Sequence, residues 1–316
     1  MVTLTGAARV RVRAALVSVG VSLTLLALKF GAYRLTGSAA ILSDAAESVV
    51  NVIAANVALL SLVVAARPAD AGHRYGHGKA EYVSSATEGA LILLTGLLVV
   101  TNGIGRLLRP APLAALPTGV ALVLVAAGAN ALVARFLLRI SREHDSAALA
   151  ADAHHLLADV LTSLGVVAGL GLQSLLGVVW IDPVIAVLVG AHIVRLGAGV
   201  SRRALEGLMD SPLPPEEETR IHAILADHAD EIVEYHALRT RKAGQQRFID
   251  LHLVLHRTLT VGRAHRLCDH LEEHIREALP GTDITIHVEP CGPACERCGV
   301  GEAAMAAMDA REAGTG

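Results

Sequence analysis

Long apolar segments at six places in the first 200 or so residues constrain the fold of this chain more than any other feature. They cover roughly residues 14–33, 39–66, 83–107, 116–138, 151–173 and 181–200. Each is about 20 residues or longer, the length that an α-helix needs to cross the hydrocarbon core of a bilayer. Only 18% of all residues are charged, fewer than in a typical soluble protein. We therefore predict a membrane domain of six transmembrane helices within residues 1–209.

The basic residues fall mainly on one side of these predicted helices. One side carries Arg9, Arg11, Arg13, Arg67, Arg74, Lys79, Arg135, Arg139, Arg142, Arg202 and Arg203, and the other carries Arg34, Arg106 and Arg109. Because loops rich in lysine and arginine stay in the cytoplasm, both termini are predicted to be cytoplasmic. The chain is accordingly predicted to be a multi-pass protein of the inner (plasma) membrane. Its net charge of −3 gives no support for a nucleic-acid partner.

The pattern becomes polar from residue 210 onward, which predicts a second domain over residues 210–292. Helices are predicted over Glu216–His228 and Val261–Leu279, and strands over 232–242, 246–256 and Asp283–Val288. The order α-β-β-α-β predicts a small α+β fold. Residues 293–316, rich in glycine, alanine and glutamate, are predicted to be a disordered tail.

Polar residues interrupt the second and fifth apolar segments in two matched pairs. Glu47 and Asn51 lie four residues apart, and so do His155 and Asp159. Residues at this spacing share one face of a helix. Ionisable groups inside a bilayer are costly and usually functional, and all four side chains can donate lone pairs to a divalent cation. The alternative is polar contacts that only hold the helices together, which two matched pairs disfavour.

Two further groups of residues could bind metal. Asp70, His73 and His77 fall within eight residues of a glycine-containing connection, which is either a metal-binding loop or a solvated turn. The soluble segment offers candidates from several predicted elements, which only folding could gather: His236, His252, His265, His287 and Glu289. Ordinary surface histidines are the alternative there. The remaining histidines of this segment show no distinguishing pattern: His222, His228, His256, His270 and His274.

Four motifs resemble those of the cation diffusion facilitator family of metal transporters, especially its bacterial zinc and iron effluxers. They are GSAAILSDA at Gly37–Ala45, HRYGHGKAE at His73–Glu81, ADAHH at Ala151–His155 and LRTR at Leu238–Arg241. The resemblance implies a homodimer with six transmembrane helices per protomer and a C-terminal cytoplasmic domain of ferredoxin-like fold.

The same resemblance assigns roles to the candidate residues. It implies a transport site at Glu47, Asn51, His155 and Asp159, a loop site at Asp70, His73 and His77, and a regulatory binuclear site between two soluble domains. The regulatory site maps to His236, His252, His265, His287 and Glu289. Many members of the family have Asp or His in place of Glu47, and Asp in place of Asn51. The neutral Asn51 removes one negative charge and leaves the metal preference and the proton count open.

These observations predict efflux of a divalent transition-metal cation from the cytoplasm, by proton antiport with alternating access. Zn²⁺ is the first choice because histidine and carboxylate ligands suit it, and Fe²⁺, Co²⁺, Mn²⁺ and Cd²⁺ stay open. His155 is the natural proton carrier, since metal and proton compete for its ring nitrogen. A membrane metalloenzyme would need a general base and a substrate cavity that the sequence does not show, so no enzyme is predicted. A metal sensor that does not transport is the remaining alternative, although it would not require the intramembrane residues.

Overall fold

A computed structural model describes residues 6–36, 39–109, 117–292 and 295, without the side chains of residues 36, 39–44 and 117–119. The chain divides between Met209 and Asp210 into two compact units. The first contains six helices: α1 (Gly6–Thr36), α2 (Ala39–Ala65), α3 (Ala80–Leu108), α4 (Pro117–Glu143), α5 (Ala147–Leu176) and α6 (Ile181–Leu208). All six are long and apolar enough to cross a membrane, which confirms the predicted number of transmembrane helices. The predicted disordered tail lies, apart from residue 295, outside the described residues.

Local capping explains why α5 extends beyond the apolar segment predicted over 151–173. The hydroxyl of Ser146 accepts a hydrogen bond from the Leu149 amide and so begins the helix earlier. Gly177 ends it in the left-handed conformation, at φ 67°, a backbone geometry that glycine adopts without steric cost. The helix contacts all five others of the membrane unit, so its polar residues lie at the centre of the bundle.

The closest helix pair of the membrane unit is α3 against α6, and glycines make this approach possible. On α3 they recur every seventh residue, at Gly89, Gly96 and Gly103. Gly89 lies against Gly197 of α6, Gly96 lies against Gly190, and Gly103 lies against Val187 and Pro183. A Cβ added at Gly96 would lie 2.8 Å from the Val194 amide nitrogen. Small residues at a helix interface let the two backbones approach closely, which is a common mode of association in membranes.

The second unit is the soluble domain, which contains a three-stranded sheet and two helices. Its elements are α7 (Pro215–Asp227), β1 (Glu234–Ala243), β2 (Gln246–Leu255), α8 (Val261–Ala278) and β3 (Thr282–Pro290). The central strand β2 pairs antiparallel with β1 and parallel with β3. The predicted α-β-β-α-β order is confirmed.

The side chains of β2 alternate between a buried and an open face of the sheet. Leu251 and Leu253 are buried in a core that also contains Leu225 of α7 and Leu271 of α8. His252, between the two leucines, points to the opposite face. The helices therefore cover one side of the sheet and leave the other side available for polar residues.

Candidate metal centres

Helices α2 and α5 bring three of the four predicted intramembrane ligands into one hydrogen-bonded chain. The Asn51 amide donates from Nδ2 to Asp159 Oδ2 over 2.5 Å, and its Oδ1 lies 2.9 Å from His155 Nε2. Within the chain His155 is only 3% exposed and Asp159 9%. The four-residue spacing on each helix is what aligns these side chains. Residues of the two helices therefore lie within hydrogen-bonding distance of one another.

Glu47, the fourth member, lies one helical turn before Asn51 on α2. Its side chain is exposed in the single chain, and its negative charge acts on the His155 ring. We name Glu47, Asn51, His155 and Asp159 the intramembrane quartet. Two carboxylates, one imidazole and one amide oxygen form a donor set with two formal negative charges, which matches a dication.

One nitrogen of the quartet is buried without a partner. His155 Nδ1 makes no hydrogen bond to any described residue, although it is shielded from solvent. Buried polar atoms are nearly always hydrogen-bonded, so an exception calls for an explanation such as a functional role. This nitrogen is therefore available to a ligand that neither α2 nor α5 supplies.

Two further buried carboxyl groups adjoin the quartet, and neither belongs to the ligand set predicted from the sequence. Asp152 lies on α5 near His155 and Asp159, and its charge acts on His155. Glu88 of α3 is fully buried beside Asp152, and its Oε2 has no hydrogen-bond partner among the described residues. The sequence does carry a signal for Glu88, because it follows Glu81 by seven residues on an apolar helix, a spacing that places both glutamates on one face.

Glu81 itself joins the N-terminal ends of α1, α3 and α5. Its carboxylate pairs with Arg11 and accepts a hydrogen bond from the Ser146 hydroxyl at 2.6 Å. All three side chains are buried. From the sequence, Arg11 contributes only to the prediction of which side of the membrane is cytoplasmic. No nearby residue indicates that this arginine will contact a glutamate 70 residues away.

The connection between α2 and α3 folds into the loop cluster, which consists of Asp70, His73 and His77. Candidate ligand atoms of all three lie within 4.8 Å of one another, and His77 Nε2 is 3.4 Å from the Asp70 carboxylate. Asp70 Oδ1 accepts hydrogen bonds from the amides of Gly72 and His73, at 2.9 and 2.7 Å. The hydrogen bond from the His73 amide is the main cause that lowers the pKa of Asp70, so the charged carboxylate is favoured. The loop is thus folded around the Asp70 carboxylate.

The open face of the soluble domain holds a second group, the sheet-face cluster of His236, His252, His287 and Glu289. The three histidines are direct neighbours on the three strands, since His236 pairs with His252 and His252 with His287. Glu289 Oε1 lies 2.9 Å from His252 Nδ1 and 3.8 Å from His287 Nε2, and Oε2 lies 3.7 Å from His236 Nε2. His265 lies apart, on α8, where its imidazole is 3.6 Å from Asp269.

The structure also gathers three histidines in which the sequence showed no pattern. His228 at the end of α7 meets His270 and His274 of α8, with candidate ligand atoms within 4.8 Å of one another. The four-residue spacing of His270 and His274 indicates that these two share one face of α8. His228 lies at the end of α7, so spacing along the sequence does not predict that it contacts them.

Comparison with known families identifies both units of the chain. A family model described as the cation efflux transmembrane domain matches residues 15–209, and one described as the cation efflux protein cytoplasmic domain matches residues 213–291. The two matches divide the chain at the same place as the structure does.

Relatives match over nearly the whole chain. An uncharacterized transporter of Synechocystis sp. is 42% identical over 87% of this chain and 89% of its own length. The cation-efflux pump FieF of Pectobacterium atrosepticum is 33% identical over 90% of this chain and 94% of its own length. Among solved structures, the metal-bound C-terminal domain of the CzcD transporter from Thermotoga maritima is 26% identical over 25% of this chain and 93% of the solved chain, with a TM-score of 0.23.

Proposed function

Because the chain belongs to the cation diffusion facilitator family of cation efflux transporters, we propose that it exports Zn²⁺ from the cytoplasm in exchange for protons. The observation that carries this proposal is the intramembrane chain of Asn51, His155 and Asp159, which links α2 to α5. Polar groups that meet at bilayer depth mark ion pathways in membrane proteins. The relatives are transporters rather than enzymes, and this agrees with the prediction that the chain has no catalytic role.

The intramembrane quartet is proposed to hold the transported ion. Asn51 would offer Oδ1, since its amide nitrogen has no lone pair for a metal, and the bond from Nδ2 to Asp159 would give way to coordination. Glu47 and Asp159 supply the two negative charges that offset the ion's desolvation. His155 adds a nitrogen donor, which favours Zn²⁺ over the harder cations. Fe²⁺, Co²⁺, Mn²⁺ and Cd²⁺ are the competitors to compare in a flux assay.

Proton exchange follows from the same ligands. The ring nitrogen of His155 that binds the metal cannot do so while it carries a proton. Arrival of a proton from the far side of the membrane would therefore release the ion. Rocking of the bundle between inward-open and outward-open states would then carry metal and protons in opposite directions. In this arrangement both termini face the cytoplasm, and the protein is a multi-pass component of the inner membrane.

Replacement of Asp159 tests the transport site. In proteoliposomes loaded with a zinc-sensitive dye, Asp159→Ala should reduce zinc flux to that of empty vesicles, because one charged ligand is gone. Thr87→Ala is the matched control, since Thr87 is exposed and its hydroxyl donates to the carbonyl oxygen of Val83 on the same helix. Size-exclusion profiles should be the same for both variants. Full zinc flux through Asp159→Ala would refute the assignment of the quartet.

The sheet-face cluster is proposed to sense cytoplasmic metal and to join two copies of the chain. His265 lies outside the cluster within one chain, and we propose that the second protomer of a homodimer supplies it. Metal bound between protomers would favour the transporting state through coupling between separate sites.

His252→Ala tests this sensing role, because His252 is the central histidine of the row. It should raise the zinc concentration that gives half-maximal flux at least about tenfold, while the maximal flux stays unchanged. His222→Ala, on the helix-covered side, should leave both quantities unchanged. A zinc dependence unaltered by His252→Ala would show that the cluster does not regulate transport, without affecting the proposal for the quartet.

A further inference from the structure

Three histidines on the helix layer of the soluble domain form a group that the transport proposal does not use. We name His228, His270 and His274 the three-histidine cluster. Their ring centroids are 5.4 Å apart for His228 and His270, 5.1 Å for His228 and His274, and 4.2 Å for His270 and His274. Each can place one ring nitrogen within 4.8 Å of the other two. These separations suit three ligands around one ion, since zinc–nitrogen bonds are about 2.0–2.1 Å long.

His228 is already oriented as a metal ligand would be. Its Nδ1 lies 2.8 Å from the carbonyl oxygen of Ile224, one turn earlier on α7, and donates to it. That bond fixes the ring and leaves Nε2 as the nitrogen with a lone pair. Histidine ligands almost always donate their other N–H to a carbonyl or carboxylate. The residue as a whole is only 8% exposed, so packing restricts its position.

The donor set of this cluster differs from that of the sheet-face cluster. It consists of imidazoles alone, whereas the sheet-face cluster includes Glu289. Imidazole suits Zn²⁺, Cu²⁺ and Ni²⁺, and oxygen ligands suit Mn²⁺ and Mg²⁺. Cys268, two residues before His270, does not belong to this donor set, because it is buried in the hydrophobic core with Leu271 and Ile275.

We propose that His228, His270 and His274 bind one Zn²⁺ ion at a site separate from the sheet-face cluster. The ion would have three nitrogen ligands and a fourth position open to water. It would join the end of α7 to the middle of α8, and so close the segment that contains β1 and β2. Metal that binds only the folded domain stabilises it by mass action. The proposal does not depend on transport or on the intramembrane quartet.

The experiment counts bound zinc on the full-length protein in lipid nanodiscs. A background variant with Asp159→Ala, His77→Ala and His252→Ala weakens the other three candidate sites. Adding His270→Ala and His274→Ala should remove one bound Zn²⁺ per chain, measured by equilibrium dialysis and elemental analysis. The matched control adds His222→Ala to the same background, since His222 is an exposed histidine of α7 that contacts Tyr235. It should bind as much zinc as the background.

Two further measurements identify the ligands and the metal. Co²⁺ in the background variant should give visible absorption of a four-coordinate site, and this band should be absent after the two α8 substitutions. A tenfold excess of Mn²⁺ should not displace the zinc. Equal zinc stoichiometry with and without the α8 histidines would overturn the proposal, and so would ready displacement by Mn²⁺.

A single substitution tests the proposal if the variant with all five substitutions does not fold. His270 is exposed, so His270→Ala in the otherwise unaltered chain leaves the core intact. It should weaken one class of zinc site at least tenfold and reduce the zinc-dependent protection of α7 and α8 amides against hydrogen exchange. Unchanged affinity and unchanged protection would refute the proposal.

Discussion

At the scale of single residues, the ion pair between Glu217 and Arg247 ties the first turn of α7 to the start of β2. Arg247 donates from Nε to one carboxylate oxygen and from Nη2 to the other, both at 2.7 Å, and both side chains are largely buried. These hydrogen bonds, with the charge of Arg247 as a smaller cause, lower the pKa of Glu217 below its usual value near 4.5. A planar two-bond pair of this kind is the strongest ion-pair geometry in proteins.

The lowered pKa sets the pH range over which this pair stabilises the soluble domain. The contribution is fully present above the unfolded-state pKa and is lost as the pH falls through the lower folded-state pKa. We expect Glu217→Gln to reduce the free energy of unfolding by about 1 kcal/mol near neutral pH, with partial solvent screening taken into account. Hydrogen exchange of soluble-domain amides in the full-length protein measures this, and the difference should shrink steadily below about pH 4.5.

The control for that prediction is Glu216→Gln in the same turn of α7. Glu216 is exposed, so its substitution removes the same charge from the helix N-terminus without breaking a buried pair. A loss of stability equal in both variants would mean that the helix dipole, rather than Arg247, accounts for the effect.

At the scale of the helix, the contact between α3 and α6 is the feature most sensitive to one added methyl group. We name its facing glycines, Gly89, Gly96, Gly190 and Gly197, the glycine seam. A Cβ at Gly197 would lie 2.7 Å from the backbone nitrogen of Leu93, which cannot move aside as a side-chain end could. We expect Gly197→Ala to destabilise the membrane domain by roughly 1–3 kcal/mol, the usual cost of overpacking. Thermal unfolding in detergent is the measurement.

Gly199, two residues away on the same helix, provides the comparison. A Cβ added at Gly199 would meet no atom of the described residues within 4 Å, its chain neighbours and the adjacent backbone of its own helix aside. Gly199→Ala should therefore leave the unfolding temperature unchanged or raise it, since alanine favours the helix. Equal destabilisation by the two substitutions would contradict the account of the seam.

Also at this scale, the sequence predicts pairs within one element better than groups assembled from several. Helical spacing alone aligned Glu47 with Asn51 and His155 with Asp159, because residues four apart share a face whatever the tertiary fold. His228 could not be predicted to join His270, because their approach depends on how α7 and α8 pack over the sheet. The same limit applies to His265. The family resemblance groups it with His252, but within one chain His265 lies on α8, in the helix layer.

At the scale of the whole molecule, two units carry metal-binding candidates of different chemistry. The intramembrane quartet is a mixed set of carboxylate, amide and imidazole, whereas the soluble domain holds imidazole-rich sets on both sides of its sheet. If the quartet holds the transported ion, we expect its single imidazole to bind a transition metal less tightly than a nitrogen-rich set does. The nitrogen-rich sets suit tighter binding and therefore structural or regulatory roles.

Proton coupling is the property that only the whole transporter can show. If metal leaves the quartet as protons enter it, an acidic vesicle lumen should drive accumulation of radiolabelled zinc inside proteoliposomes. We expect several-fold more uptake than without a pH gradient, and a protonophore should abolish the excess. His155→Gln removes the proton-carrying imidazole, so its residual zinc uptake should no longer respond to the gradient. Uptake that is equal with and without the gradient in the unaltered protein would exclude antiport while leaving cation export intact, because downhill flux through the quartet needs no proton.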